Sequence, residues 1–123
     1  DFSSAVFTGC RFLYCDFQDC NFNVAEFRRS RMWLSQFRDC KLTGINWTCM
    51  DWRDFSLEPS FSFVRCDLSY AGFAALDVVQ LVIHECDACE ADFVASNLTG
   101  SDFHQTDFSG ARFRRAKLDQ CQF

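Results

Sequence analysis

Residues 91–105 run Ala-Asp-Phe-Val-Ala, Ser-Asn-Leu-Thr-Gly, Ser-Asp-Phe-His-Gln. Each pentad has a small residue, then Asp or Asn, then a large apolar centre. Read outward, the same beat fills the chain. Its centres are Phe2, Phe7, Phe12, Phe17, Phe22, Phe27, Met32, Phe37, Leu42, Trp47, Trp52 and Leu57. After one slip they continue at Phe63, Leu68, Phe73, Val78, Ile83, Ala88, Phe93, Leu98, Phe103, Phe108, Phe113, Leu118 and Phe123. Of the 16 phenylalanines, 14 occupy a centre. A period of five matches neither the 3.6 of a helix nor the 2 of a strand. It marks a solenoid, whose short units bury their apolar faces by stacking on one another.

Two residues before most centres stands Ala, Ser, Thr or Cys, as at Ala5, Cys10, Ser30, Cys66 and Ala91. Small and large residues alternating in this way can share a narrow interior. The other three positions carry nearly every charge and face water. Seven of the nine cysteines lie in the small column, with Cys20 one coil from Cys40 and Cys66 one coil from Cys86. Cysteine that alternates with Ala and Ser acts as a small apolar residue, so reduced thiols and a cytoplasmic location are expected. The stretch His84-Glu-Cys86-Asp-Ala-Cys89 holds one C-x2-C pair whose members should diverge, and a structural zinc needs four ligands. No metal, cofactor or catalytic group is expected. No apolar run reaches the roughly 18 residues of a membrane helix. The chain opens and closes on a repeat, so it reads as the ordered middle of a longer protein.

The beat falters once. Leu57 and Phe63 are six apart, with Glu58, Pro59 and Ser60 between them. Proline cannot donate to a strand ladder. The expected organisation is one domain: a first half-rod over 1–57, a loop or bulge over 58–62, and a second half-rod over 63–123. Ile45, Met50, Phe55 and Phe61 put large residues in the small column here. That predicts an overfilled, irregular coil with some of these side chains turned outward. Leu76 and Leu81 do the same more mildly.

The quoted pentads resemble the pentapeptide-repeat family, whose pattern is A(D/N)LXX, and the resemblance spans the chain. It implies an all-β, right-handed quadrilateral β-helix with four pentads per coil and about six coils. At roughly 4.8 Å per rung the rod would be about 30 Å long. Residues 20 apart then share a side, or 21 apart across the slip. On that register one side carries Glu26, Asn46, Asp67, Asp87 and Asp107. Another carries Asp16, Asp19, Asp39, Glu58, Asp77 and Asp119. A basic side between them carries Arg11, Arg31, Arg53, Arg112, Arg114 and Arg115, with Leu13, Tyr14, Trp33 and Leu34. Arg11, Tyr14, Arg31, Trp33 and Arg53 form an Arg-aromatic mix common at interfaces. Each aspartate has a second reading, as a corner residue that bonds nearby backbone.

Near-continuous Phe and Leu centres, many small-column cysteines and residues 61–71 (Phe-Ser-Phe-Val-Arg-Cys-Asp-Leu-Ser-Tyr-Ala) are similar to one branch of that family. It contains the Qnr quinolone-resistance proteins and the microcin B17 and albicidin immunity proteins. The resemblance implies a DNA mimic that binds DNA gyrase or topoisomerase IV and protects it from a quinolone or peptide toxin. Glu58-Pro59-Ser60 would stand in for a projecting loop, and a homodimer would form through an apolar segment beyond Phe123. The chain nets −5, from 17 acidic and 12 basic residues. A duplex of the same length bears roughly 17 or 18 charges, so mimicry must rest on acidic sides rather than bulk charge. Two readings compete: a non-catalytic scaffold or adaptor that displays rod faces to another protein, and direct nucleic-acid binding by the Arg-aromatic face. The negative net charge opposes the latter.

Overall fold

A computed structural model describes residues 1–52 and 61–123. Its strands are three or four residues long, because a corner must follow every pentad. They are β1 (Val6–Thr8), β2 (Arg11–Leu13), β3 (Asp16–Gln18), β4 (Glu26–Arg28), β5 (Arg31–Trp33), β6 (Ser35–Arg38), β7 (Phe61–Val64) and β8 (Val82–His84). All pairing is parallel: β1 with β4, β2 with β5, and β3, β6, β7 and β8 in sequence. Single bridges extend the columns, as in Asp67 to Asp87 to Asp107 and Gly72 to Asp92 to Arg112. The result is a four-sided β-solenoid, with no α-helix among the described residues. We number the sides in chain order: Phe2 opens the first, Phe7 the second, Phe12 the third and Phe17 the fourth.

The centres form the core. On the second side Phe7, Phe27, Trp47, Phe73, Phe93 and Phe113 make an unbroken file of near-parallel rings, with centroids 5.2, 5.5, 6.0, 5.1 and 5.0 Å apart. On the fourth side Phe17, Phe37 and Phe63 stack at 4.8 and 5.5 Å. Rings on neighbouring sides meet edge to face, as Phe7 and Phe12 do at 5.8 Å. Rung spacing sets the first geometry and the square section sets the second. Both are favourable for aromatic quadrupoles.

Corners come in two kinds, and the residue before the centre selects between them. Asp or Asn there usually accepts the N–H two residues on, as Asp67 does from Ser69 (3.0 Å) and Asp92 from Val94 (3.0 Å). The chain then closes a tight turn in which the next small-column N–H reaches back to the centre's carbonyl, as from Ala71 to Leu68. At pentads with a strand and no such bond, that N–H is left over. The small-column side chain one coil on accepts it: Ser30 Oγ from Cys10, Ser35 Oγ from Cys15 and Thr106 Oγ1 from Cys86. Ser and Thr in the small column are therefore acceptors as well as spacers. In either kind, the residue two after the centre usually adopts positive φ.

Buried Ser101 accepts from buried Leu81 N–H at 3.0 Å. Ser101→Ala strands that donor and should cost about 1–3 kcal/mol in a urea titration. Ser101→Cys, which keeps an acceptor, should cost less. Equal losses in the two variants would contradict the acceptor role.

The register across the break differs from expectation. Asp51 N–H still bonds the Ser30 carbonyl, and Arg31 Nε lies 3.0 Å from Asp51 Oδ2, so this stretch keeps the 20-residue step. Thereafter Ser35 pairs with Phe61, Lys41 with Asp67, and Asn46 with Gly72. The step is 26 residues, not 21. One whole pentad plus the slipped residue lies between Trp52 and Phe63 beyond what a coil needs. A five-residue beat hides this, because an extra pentad leaves the spacing of centres untouched. The predicted loop Glu58-Pro59-Ser60, with Arg53 and Phe55, lies outside the described residues. The ladder resumes at Phe61, within the span assigned to the loop.

Of the large small-column residues expected to overfill this coil, Ile45 and Met50 do not turn outward. Both are buried, Ile45 completely. Ile45 lies in a column between Ala25 and Ala71, and those small neighbours give it room. Just after it the corner tightens into a 3-10 turn, Trp47–Cys49, where Asn46 accepts from Thr48 N–H. Leu81, Val78 and Ile83 are likewise buried in regular rungs.

Candidate interaction faces

A 26-residue step turns everything after the break by one side relative to the expected register. Asp67, Asp87 and Asp107 remain in one column, but it continues from Asn21 and Lys41 on the first side. Glu26 and Asn46 belong instead to the second side, with Gly72, Asp92 and Arg112. Asp16, Asp19 and Asp39 lie on the fourth side or its corner, now joined by Arg65, Glu85 and Asp102. Asp77 leaves that group, as does Asp119; they fall on the third side. The expected basic side divides too. Arg11 and Arg31 pair on the third side, whereas Arg112, Arg114 and Arg115 fall on the second. First and fourth sides are neighbours around the rod. Acidic columns that the expected register put on opposite sides thus lie on adjoining ones.

Within the first-side column each aspartate uses Oδ1 for its corner, accepting from Ser69, Cys89 and Ser109 N–H at 3.0, 3.0 and 2.9 Å. Asp107 also accepts from Ser109 Oγ at 2.6 Å. Corner formation favours the charged form of Asp67 and Asp107. Partial burial opposes the charge on Asp67, but hydrogen bonds from Ser69 and Thr43, with Lys41 nearby, outweigh it and lower its pKa. The hydrogen bonds from Ser69 and Ser109 thus do two things at once, since Ser109 also lowers Asp107.

On the fourth side two of the five acids are neutralised by arginine. Arg38 Nη2 meets Asp16 Oδ2 at 2.6 Å, and Arg65 Nε meets Asp39 Oδ1 at 2.8 Å, holding that carboxyl below its usual range. Asp19 and Glu85 make no ion pair among the described residues. His84 Nε2 lies 2.8 Å from Asp102 Oδ2, and the His104 ring meets it edge-on one rung away.

The third side gathers Arg11, Tyr14, Arg31 and Trp33 at its N-terminal end; Arg53 is outside the described residues. Tyr14 is exposed, and the Arg31 guanidinium sits 5.9 Å above the Trp33 ring while its Nε bonds Asp51. Arg31 is thus engaged internally, and Arg11 is the more accessible cation.

Cys20, Cys40, Cys66 and Cys86 form one continuous thiol column, because the longer step also sets Cys40 beside Cys66. All nine cysteines are free. Cys66 is raised to about 12: the Cys40 hydrogen bond lowers it, but the bond with Cys86 and burial raise it more. Cys40 is raised by its hydrogen bond with Cys66 and by burial, whereas Cys86 is lowered by its hydrogen bond with Cys66. A raised folded pKa means the unfolded chain ionises first. Stability from Cys40 and Cys66 is full below about pH 8.5 and is lost as pH rises toward 12. Urea midpoints should fall steadily between about pH 8 and about pH 10.5 under reducing conditions, less so in Cys66→Ala. A flat profile in the parent protein would contradict the packing of these thiols.

Cys89 faces outward, its thiol pushed up to about 11 by hydrogen bonding to Asp87, while Cys86 is buried. Among the described residues no three His, Cys, Asp or Glu side chains are arranged to hold a metal. Nor is any helix among them long and apolar enough to cross a membrane.

A parallel four-sided solenoid built on pentads defines a class, and sequence comparison supplies the family. Residues 1–61 match the family described as Pentapeptide repeat region, and residues 84–123 match Pentapeptide repeats (8 copies). The chain belongs to the pentapeptide-repeat family. No curated protein sequence matches it. Among solved structures it is similar to the pentapeptide repeat protein Rfr23 of the cyanobacterium Cyanothece 51142, at 11% identity and a TM-score of 0.54, covering 95% of this chain and 86% of that one. It also aligns with HetL of Nostoc sp. strain PCC 7120, involved in heterocyst differentiation regulation, at 15% identity and a TM-score of 0.47, covering 97% and 62%. A trypsin-treated variant of QnrB1, a plasmid-mediated fluoroquinolone resistance protein, aligns at 23% identity and a TM-score of 0.41, covering 100% and 67%. At these identities the likeness speaks to fold alone.

Proposed function

We propose that this chain is a non-catalytic binding rod that takes the place of duplex DNA on a type II topoisomerase, DNA gyrase or topoisomerase IV, and so protects it from a poison. One observation carries the reading: the first and fourth sides adjoin and are net acidic, although Arg38 and Arg65 pair with Asp16 and Asp39 on the fourth. Three in-register aspartates, Asp67, Asp87 and Asp107, lie on the first. The residue-level resemblance of 61–71 to the topoisomerase-protecting branch points the same way.

The match in charge is partial. Aspartates repeat about every 4.8 Å along the rod, against one charge per roughly 1.7 Å of duplex. A row of that density still steers association with a basic groove at low ionic strength. The opposite sides carry most of the basic residues, so the rod would dock in one orientation.

Supercoiling by purified gyrase, titrated with the protein in the presence and absence of a quinolone, tests this. Expected are inhibition at high protein concentration and protection from drug-stabilised cleavage at lower concentration, both weakened by salt. Absence of binding, inhibition and protection for both gyrase and topoisomerase IV would overturn it.

A second reading, a scaffold that displays its faces to some other protein, is favoured by one feature. Each column aspartate already serves its own corner, so a partner is not needed to account for it. Recovery of a different partner, with topoisomerases unaffected, would establish that reading.

A further inference from the structure

The second side has a different relief from the other three. Between its arginine-bearing end rungs the outward positions are Asn46, Thr48 and Cys49, then Gly72, Ala74 and Ala75, then Asp92, Val94 and Ala95. Two open depressions lie along it, one of about 400 Å³ bordered by Val24, Glu26, Arg28 and Asn46, the other of about 540 Å³ bordered by Ala74, Asp92, Arg112 and Arg114. Tyr70, 67% exposed, stands at the corner beside this floor. At one end are Arg28 and Arg29, at the other Arg112, Arg114 and Arg115. Arg28 is paired with Glu26, and Arg112 with Asp92 at 3.0 Å. Arg29, Arg114 and Arg115 make no ion pair among the described residues.

We propose that this basic-rimmed saddle binds an extended acidic protein segment. Free guanidiniums present paired donors that suit carboxylates. Arg29 and Arg115 occupy equivalent corners four rungs apart, about 19 Å at roughly 4.8 Å per rung. An extended chain rises about 3.3 Å per residue, so the complementary segment has two acidic clusters about six residues apart. Small or apolar residues between them would lie on the alanine and glycine floor, against the Tyr70 ring. A narrow strand fits this site better than a nucleic-acid duplex does. The acidic first side adjoins it, and Glu90 overhangs the shared corner above Gly110. The inference does not rest on the topoisomerase reading.

A fluorescein-labelled peptide, Glu-Glu-Gly-Ala-Leu-Ala-Glu-Glu, tests it by fluorescence anisotropy at low salt with the whole chain. The peptide should bind saturably. Arg114→Glu with Arg115→Glu should weaken it about tenfold or more, as should Ala74→Tyr, which fills the floor and leaves every arginine in place. Both variants should keep the parent circular dichroism spectrum. A peptide with its four glutamates contiguous should bind more weakly. The proposal fails if the spaced peptide does not bind, if Ala74→Tyr binds it as well as the parent, or if the contiguous peptide binds equally. Tighter binding of a twelve-residue oligothymidylate, lost in the same arginine variant, would make the occupant a nucleic acid and likewise overturn it.

Discussion

Trp47→Ala is expected to remove about 3–5 kcal/mol of stability, the range for truncating a buried aromatic. The side chain has no exposed surface. It stacks between Phe27 and Phe73 at 5.5 and 6.0 Å and meets Phe37 and Phe63 edge-on at 5.8 and 5.3 Å. These four rings come from both sides of the break, so Trp47 joins the two half-rods. In a solenoid each coil touches only its neighbours. A gap in mid-file therefore cannot be compensated from elsewhere. Against the roughly 5–15 kcal/mol typical of a whole domain, the loss should leave much of the protein unfolded in modest urea. Phe113→Ala, in the same file but half-buried, should cost clearly less. If Trp47→Ala loses under about 1 kcal/mol, the file does not run unbroken through the middle of the rod.

The second large effect concerns binding. Replacing Asp67, Asp87 and Asp107 together with asparagine keeps every Oδ1 acceptor, and with it the corner bonds to Ser69, Cys89 and Ser109. The fold should persist while three adjacent charges vanish. Gyrase affinity should fall about tenfold or more at low salt, and its dependence on salt should flatten, because what is lost is long-range attraction. Asp77→Asn, on the third side, should have little effect. The comparison between these variants separates the two roles of aspartate in this fold. Unchanged affinity in the triple variant would reduce the column to corner-forming and favour the scaffold.

Much of the architecture is legible in the pentads. Phe at the centre and Ala, Ser or Cys two residues earlier describe a narrow dry interior, and the structure has that interior. The thiol pairs Cys20 with Cys40 and Cys66 with Cys86 follow from the 20-residue coil. What periodicity cannot supply is the number of pentads between Trp52 and Phe63 that stand in the ladder. One pentad more or less leaves the beat unchanged but rotates half the rod by a quarter turn. Glu26, Asp77 and the three C-terminal arginines take their companions on a side from that count, and the longer step regroups all of them. Ser101 shows a different gap. Its size marks it as a packing residue, and only the unpaired N–H of Leu81, three-dimensional information, marks it as an acceptor. Asp67 is legible in both roles, but the sequence alone cannot weigh one against the other.

The longer step across the break is what brings the acidic sides together, and backbone proximity measures it directly. In a nuclear Overhauser spectrum of the labelled protein, the Asp67 amide proton should show a cross-peak to the α-proton of Lys41, its bridge partner. The Gly72 amide should show the equivalent peak to Asn46. Cross-peaks from Asp67 to Asn46 instead would restore the 21-residue step, separate the acidic sides and contradict the account.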